Sequence, residues 1–467
     1  MKTRGIFLVS ILCAVLVSGC SLAPPHVKPS SPVPGEWAMG DNSGGQAWET
    51  EDLAWEAFIL DGELRSLVDR ALVGNRNLRQ VILNIKALEA QYRIQHADVL
   101  PSLALGATGE RKRVSGDYAE DGNAETSSAY QVGLTMNAFE LDFWGRVKNL
   151  SDAALEEYLA SREGTRNARI ALVSQVAQAY MTRVGAAEQY ELIAKTLAAR
   201  DASLNLMIQK RDSGAASDLD VEEARSLLAQ ARADLEAMSR ALNQADNKLM
   251  LLVGSASPLE IKGGDHPRMV ADVTPGLSSQ LLLRRPDIQA AEHRLKSRNA
   301  QVGAARAAFF PAVSLTGLGG SASTELSGLF GSGTFAWQFI PRISLPIFNS
   351  GRNRSNLDLA KVRKDVAVAA YEERIQIAFK EVADALVARD TLGREEEYRR
   401  QLADSSTRSL ALARVRYEQG VDSHLRYLDA QRNDFANQIR LIQTRTQSRM
   451  ARVQVFTALG GGWPATS

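Results

Sequence analysis

The sequence predicts an α+β membrane protein built as an internal duplication, and three observations carry that prediction. The first is a repeat. The run from Gly145 to Gly254 aligns without a gap on Gly351 to Gly460, 206 residues further on, matching Arg146 to Arg352, Val176 to Val382, Arg183 to Arg389, Gly214 to Gly420, Ser217 to Ser423 and Leu219 to Leu425. A preceding block matches at 210 residues, pairing Ala90 with Ala300, Gln91 with Gln301 and Pro101 with Pro311, so the segment between the blocks is four residues longer in the first copy. The second observation is a change of hydrophobic period from 3.6 to 2 after each of these two prolines. The third is a lipid-attachment signal near the N-terminus. A duplicated unit usually buries its apolar face against its own copy, so the chain is read as two similar halves.

Length and charge bound the possibilities. A chain of 467 residues suggests about three domains, but the duplication overrides that expectation. The 55 basic and 54 acidic residues leave a net charge of +1. Such a balance argues against nucleic acid as the main partner, which would need a strongly basic face.

The N-terminus reads as a processing segment. Lys2 and Arg4 form a positive start, and Ile6 to Val17 form an apolar run too short for an ordinary membrane span. Val17-Ser18-Gly19-Cys20 follows and resembles a bacterial lipobox, with residues 1–19 as signal peptide and Cys20 as the lipid attachment site. An ordinary signal peptide with a chance cysteine is the alternative. Ser21 after the cysteine favours, by the same resemblance, sorting to the outer membrane. Cys13 departs with the signal, so one cysteine remains and no internal disulfide can form. Lipid chains anchor a protein to a bilayer without carrying it across.

Residues 20–60 are expected to form an extended, acylated tether, because Pro, Ser and Gly dominate their first half. The first repeat is placed at 61–254. Leu64, Leu67, Val68, Ala71 and Leu72 mark an amphipathic helix, a break follows at Gly74 to Asn77, and a second helix runs from about Leu78 to Ala97. A β-hairpin is expected over about 101–141. There Leu103, Leu105 and Ala107 alternate with small or polar residues, as do Tyr130, Val132, Leu134, Met136 and Ala138. The second hairpin, over about 311–347, repeats the pattern with Val313 and Leu315, then Phe335, Trp337 and Phe339.

Strands of roughly ten residues with apolar residues on one face are what a tilted, bilayer-crossing strand needs. A half-buried sheet in an ordinary domain would show the same alternation. In hydrocarbon, however, open sheet edges are not tolerated. Four strands cannot close a barrel alone, so several copies would have to close it together.

A long helix over about 145–211 contains no proline and would extend roughly 100 Å at about 1.5 Å per residue. Val173, Val176, Tyr180, Val184 and Ala187 space its seam in the manner of a coiled coil. Gly214 breaks it, and Ser217 or Asp218 caps a return helix over about 217–253. A linker spans 255–280. The second repeat, 281–460, has its long helix at about 351–419 and its return helix at about 423–459, followed by a tail at 461–467. In Leu281 to Asp287, Pro286 suits a first helical turn and Asp287 complements the helix dipole.

No catalytic constellation emerges. The five histidines, His26, His96, His266, His293 and His424, lack metal-ligand spacing, and no phosphate-binding, nucleophile-elbow or zinc-protease string occurs. Neither enzymatic activity nor a cofactor or metal is expected.

The tract WEAFILDGELRSLVDRALVGNRNL (Trp55 to Leu78), the pair FELDFWGR (Phe139 to Arg146) and LPIFNSGR (Leu345 to Arg352), LLLRRPD, and YEQGVDSHLRYLDAQ (Tyr417 to Gln431) together resemble the outer membrane factors, the TolC-like exit ducts of tripartite efflux pumps. The resemblance covers nearly the whole mature chain. It implies a homotrimer with a 12-stranded transmembrane β-barrel continuous with a long periplasmic 12-helix α-barrel, in the outer membrane of a Gram-negative bacterium. Its implied partners are a periplasmic adaptor protein, an inner membrane transporter of the resistance-nodulation-division type, and outer membrane lipid. The implied cargo is drugs and other toxic small molecules.

The same resemblance implies an iris-like gate at the periplasmic turns. Leu425 and Asp429 match its constricting positions, and Arg416 and Tyr417 match the partners that hold it shut. Their counterparts in the first copy are Leu219, Glu223, Lys210 and Arg211. Ordinary surface pairs along one helix, such as Arg426 with Asp429, are the plain alternative. Metal efflux or type I secretion would keep the architecture, whereas a non-spanning coiled-coil lipoprotein would not.

Overall fold

The computed structural model describes residues 21–35, 47–48, 54–118, 122–261, 269–272, 274–275 and 279–461. The signal segment and Cys20 lie outside the described residues. In chain order the main elements are α1 (Gly62–Gly74), α2 (Arg76–Ala97), β1 (Leu103–Val114), β2 (Glu125–Leu141), α3 (Arg146–Asp212), α4 (Asp218–Val253), α5 (Pro286–Ala307), β3 (Ala312–Ser323), β4 (Phe335–Ser344), α6 (Arg352–Glu418) and α7 (His424–Ala458). They group into two compact units that cut across the repeats. One takes the segment up to Ser30, Asn84–Arg162 and Ala290–Glu372; the other takes Ser31–Leu83, Glu163–Gln289 and the chain from Glu373. Matching pieces of the two copies thus pack within the same unit.

The first unit holds one antiparallel sheet in the order β1-β2-β3-β4. Residues paired across an antiparallel ladder project to the same face, and the register sorts the sequence into rows. One face carries Leu103, Met136, Gly317 and Phe339, then Leu105, Leu134, Gly319 and Trp337. The other carries Ala104, Thr135, Leu318 and Gln338, then Gly106, Gly133, Gly320 and Ala336. The first face is apolar and bare, with Trp337 72% exposed and Leu105 76%. On the second, a Cβ on Gly320 would strike the Val132 carbonyl, and one on Gly133 the backbone at Gly319. Glycine there lets β2 and β3 approach.

Regular alternation through Ala138 is corrected by the structure. A bulge separates Met136 from Phe139, with Ala138 at φ +46° and its amide donating to Thr316 Oγ1 at 3.3 Å. The extra backbone resets the side-chain parity, so Phe139 and Leu141 rejoin the apolar face through Leu315 and Val313.

The start of the tether is also more ordered than its composition suggests. Asn299 donates to the Pro24 carbonyl at 2.6 Å, Arg306 to the Leu22 carbonyl at 3.2 Å, and Lys28 pairs with Glu292 at 2.9 Å. These contacts run residues 22–28 antiparallel along α5. A Cβ on Gly303 would meet Ala23 N at 2.7 Å, so the strand lies against the helix only because that position is glycine. The rule that Pro- and Ser-rich segments stay free fails here because side chains from α5 satisfy the backbone.

In the second unit α1 starts at Asp61, whose carboxylate accepts from the Leu64 amide at 2.8 Å. Asn75 stops α1 and starts α2: its side chain accepts from the Leu78 amide at 2.9 Å and donates to the Leu252 carbonyl at 2.8 Å. Phe58 and Phe456 stack at 4.2 Å and both are buried, each contributing about 2 kcal/mol by burial. Tyr180, wholly buried, donates to Glu63 at 2.9 Å.

The Leu281 to Asp287 motif does more than begin a helix. Arg285, with a side chain 7% exposed, bonds Asp287 at 2.8 Å, Glu381 at 2.6 Å and the Ala458 carbonyl at 2.6 Å, while Arg374 reaches Asp287 at 3.2 Å. Burial pushes the Asp287 carboxyl up, but Arg285 and Arg374 outweigh it and hold the group below its ordinary value.

Candidate functional site at the helical turns

Both turns lie in the second unit, and they are built alike. In the first, the Gly214 amide bonds the Arg211 carbonyl at 2.9 Å and the Ala215 amide bonds the Lys210 carbonyl at 2.7 Å. In the second, the Gly420 amide bonds the Tyr417 carbonyl at 3.0 Å and the Val421 amide bonds the Arg416 carbonyl at 2.9 Å. Gly214 at φ +79° and Gly420 at φ +71° take the left-handed conformation that such helix ends demand. Duplication has preserved the turn down to its bonds. Ser217 then caps α4 in a reciprocal box with Asp220, and Ser423 caps α7.

Tyr417 stands at the centre. Lys210 Nζ donates to its phenol oxygen at 3.0 Å and lies 4.7 Å from the ring centre. Its ring stacks on Tyr427 at 5.6 Å and tilts against His424 at 5.2 Å. Met207, Val221 and Ala224 form the small core beneath, with Leu204, Ile208 and Tyr417 packed on it. Tyr417 therefore ties α6 to α3 and α4 at once.

The other anticipated residues are distributed differently. Arg416 pairs with Asp422 in its own turn, at 2.7 Å, rather than with Asp429. That hydrogen bond and charge hold Asp422 below the ordinary carboxyl value. Asp429 pairs with Arg432 at 3.2 Å, and Arg426 leans toward Asp422 at 3.8 Å, so the Arg426–Asp429 pair does not form. Arg211 pairs with Asp212 at 2.6 Å. Leu219 and Leu425 are exposed at 69% and 54%, with their side chains available to neighbours outside the chain. Glu223 lies near His424, together with Asp220.

Three participants escaped the sequence reading: Asp422, Asp220 and Tyr427. The Ser-x-x-Asp spacing is a signal for the Asp220 cap, and Asp422 and Tyr427 find their partners Arg416 and Tyr417 within the second turn. Only the approach of Asp220 to His424 of the other turn has no local signal.

The family model described as "Outer membrane efflux protein" matches residues 67–255 and 277–461. The chain belongs to the outer membrane efflux protein family. It is 52% identical to outer membrane protein OprJ of Pseudomonas aeruginosa over 466 residues, covering 99% of this chain and 97% of that protein. It is 43% identical to the toluene efflux pump outer membrane protein TtgF of Pseudomonas putida, covering 99% and 98%. Its fold matches the open state of the MtrE outer membrane channel of Neisseria gonorrhoeae with a TM-score of 0.84 at 35% identity, covering 95% of this chain and 98% of that one.

Proposed function

We propose that this chain is the outer membrane channel of a tripartite efflux pump, a passive exit duct that three copies complete. The observation that carries this reading is the sheet of the first unit. It has bare edges at β1 and β4 and an apolar face bearing Phe335, Trp337 and Phe339. In hydrocarbon that face is at home and those edges are not. Pairing β4 of one chain with β1 of the next removes every edge, and three chains of four strands give an even twelve. Twelve helices from the same three chains form the periplasmic α-barrel in this reading.

Energy for transport comes from an inner membrane transporter of the resistance-nodulation-division type, reached through a periplasmic adaptor at the helical turns. The relative that serves a toluene pump supports small apolar molecules as cargo. Cys20 carries the lipid. Residues 22–28 are pinned along α5, with Leu22 against Arg306 a few residues before β3, where a strand enters the membrane in this reading.

The turns act as the gate. Leu219 and Leu425 narrow the opening, and Asp429 sets a ring of charge with Glu223 behind it. Arg416, held by Asp422, stiffens the second turn, and Tyr417, held by Lys210, fastens that turn to the first. Replacing Asp429→Ala together with Arg416→Ala should raise the single-channel conductance of the purified protein in planar bilayers. Unchanged conductance would remove the gate from these residues.

A further inference from the structure

We infer that the two helical turns share a binding site for a late first-row divalent cation such as Zn²⁺, made by Asp220, Glu223 and His424. One ligand atom from each of the three lies within 4.8 Å of the others. Asp220 and Glu223 stand one turn apart on α4 and so present both carboxylates on one face. His424 is the first residue of α7. One imidazole nitrogen and two carboxylate oxygens are a donor set that such cations accept, with a fourth position left for water.

The histidine is what distinguishes this cluster from an ordinary acidic patch. Its side chain is 9% exposed, and neither ring nitrogen has a hydrogen-bond partner among the described residues. Burying unsatisfied polar nitrogen is costly, yet this ring is packed in place by Tyr417 at 5.2 Å and Tyr427 at 6.5 Å. Its Nδ1 faces Asp220 Oδ1 at 3.7 Å, too long for a hydrogen bond and close to the spacing of two ligands around one ion. In a tetrahedral zinc site, neighbouring ligand atoms lie roughly 3.3 Å apart.

The supporting shell is present as well. Asp220 Oδ2 accepts from the Ser217 amide at 2.8 Å and the Ser217 hydroxyl at 2.7 Å, which fixes the carboxylate and leaves Oδ1 for the ion. Lys210, the cation nearby, is engaged by Tyr417. Two carboxylates offset its charge and part of that of the ion. A bound ion would clip α4 to α7 and so fasten the first turn to the second. That consequence for opening rests on the gate reading; the binding itself does not.

The test is isothermal titration of ZnCl₂ into the full-length protein in detergent, stripped beforehand with chelator, alongside Glu223→Gln, His424→Ala and His293→Ala. Glu223→Gln keeps the shape of the side chain and the packed His424 ring. The expected result is one Zn²⁺ per chain, weakened about tenfold or more by each of the first two changes and unaffected by the third. Absence of zinc binding, wild-type affinity in both Glu223→Gln and His424→Ala, or loss of binding through His293→Ala would each overturn the site. Zinc affinity is read without conductance, so a failure here leaves the gate standing, and a failed gate leaves the zinc site standing.

Discussion

Lys210 and Tyr417, 207 residues apart in sequence, meet through a 3.0 Å hydrogen bond that ties the second helical turn to the first. The Tyr417 ring also stacks on Tyr427 at 5.6 Å, and because the stack uses the ring and the bond uses the phenol oxygen, the two contributions separate by mutation. Tyr417→Phe keeps the stack and deletes the phenol oxygen. A hydrogen bond from a charged ammonium contributes about 1.5 kcal/mol, which shifts a closed-to-open ratio roughly tenfold. Open probability in planar bilayers should rise by about that factor. Tyr417→Ala, which also loses the stack, should raise it further.

The Arg285–Asp287–Arg374 cluster predicts an acid-sensitive fold. The native Asp287 carboxyl sits below its ordinary 3.8. Its contribution is complete above that value and is lost as the pH falls through the lower native one. Asp287→Asn should lower stability at neutral pH by about 3 kcal/mol, since it breaks a buried ion pair. It should also flatten the loss of helical circular dichroism below about pH 4 relative to wild type.

Trp337 and Gln338 are neighbours on β4 that project to opposite faces of the sheet. Trp337→Arg places a charge on the apolar face, at a cost of about 2–4 kcal/mol per chain at mid-bilayer depth. Gln338→Arg places it on the face of mixed small and polar residues. Outer membrane fractionation should show little or no assembled Trp337→Arg and near-normal Gln338→Arg. Equal yields would contradict the assignment of faces.

Local pattern made much of this legible. The period of two marked where each hairpin begins and ends, because alternation reports which face is apolar. It did not mark the inner strand limits: β1 runs on to Val114, and β2 starts at Glu125 and is 17 residues long rather than about ten. The repeat located both glycine turns, because a left-handed helix end requires glycine in each copy. What pattern missed was long-range. The Ala138 bulge depends on Thr316 from a strand far along the chain. Asp287 was legible as a helix-start acid, but its partner arginine's contact with Glu381 lies 96 residues away. The turns were found and their pairing was not. Periodicity along one helix carries no record of which residue on another hairpin stands opposite, and histidine spacing is uninformative when the other ligands come from the first copy.

The central claim is that each chain supplies a third of a closed wall. Native mass spectrometry of the full-length protein extracted in mild detergent measures this most directly. A particle of three chains is predicted, persisting when Cys20→Ser removes the lipid site and still retained in the membrane fraction before extraction. A stable single chain that keeps its sheet, or release into the soluble fraction once the lipid is lost, would contradict it.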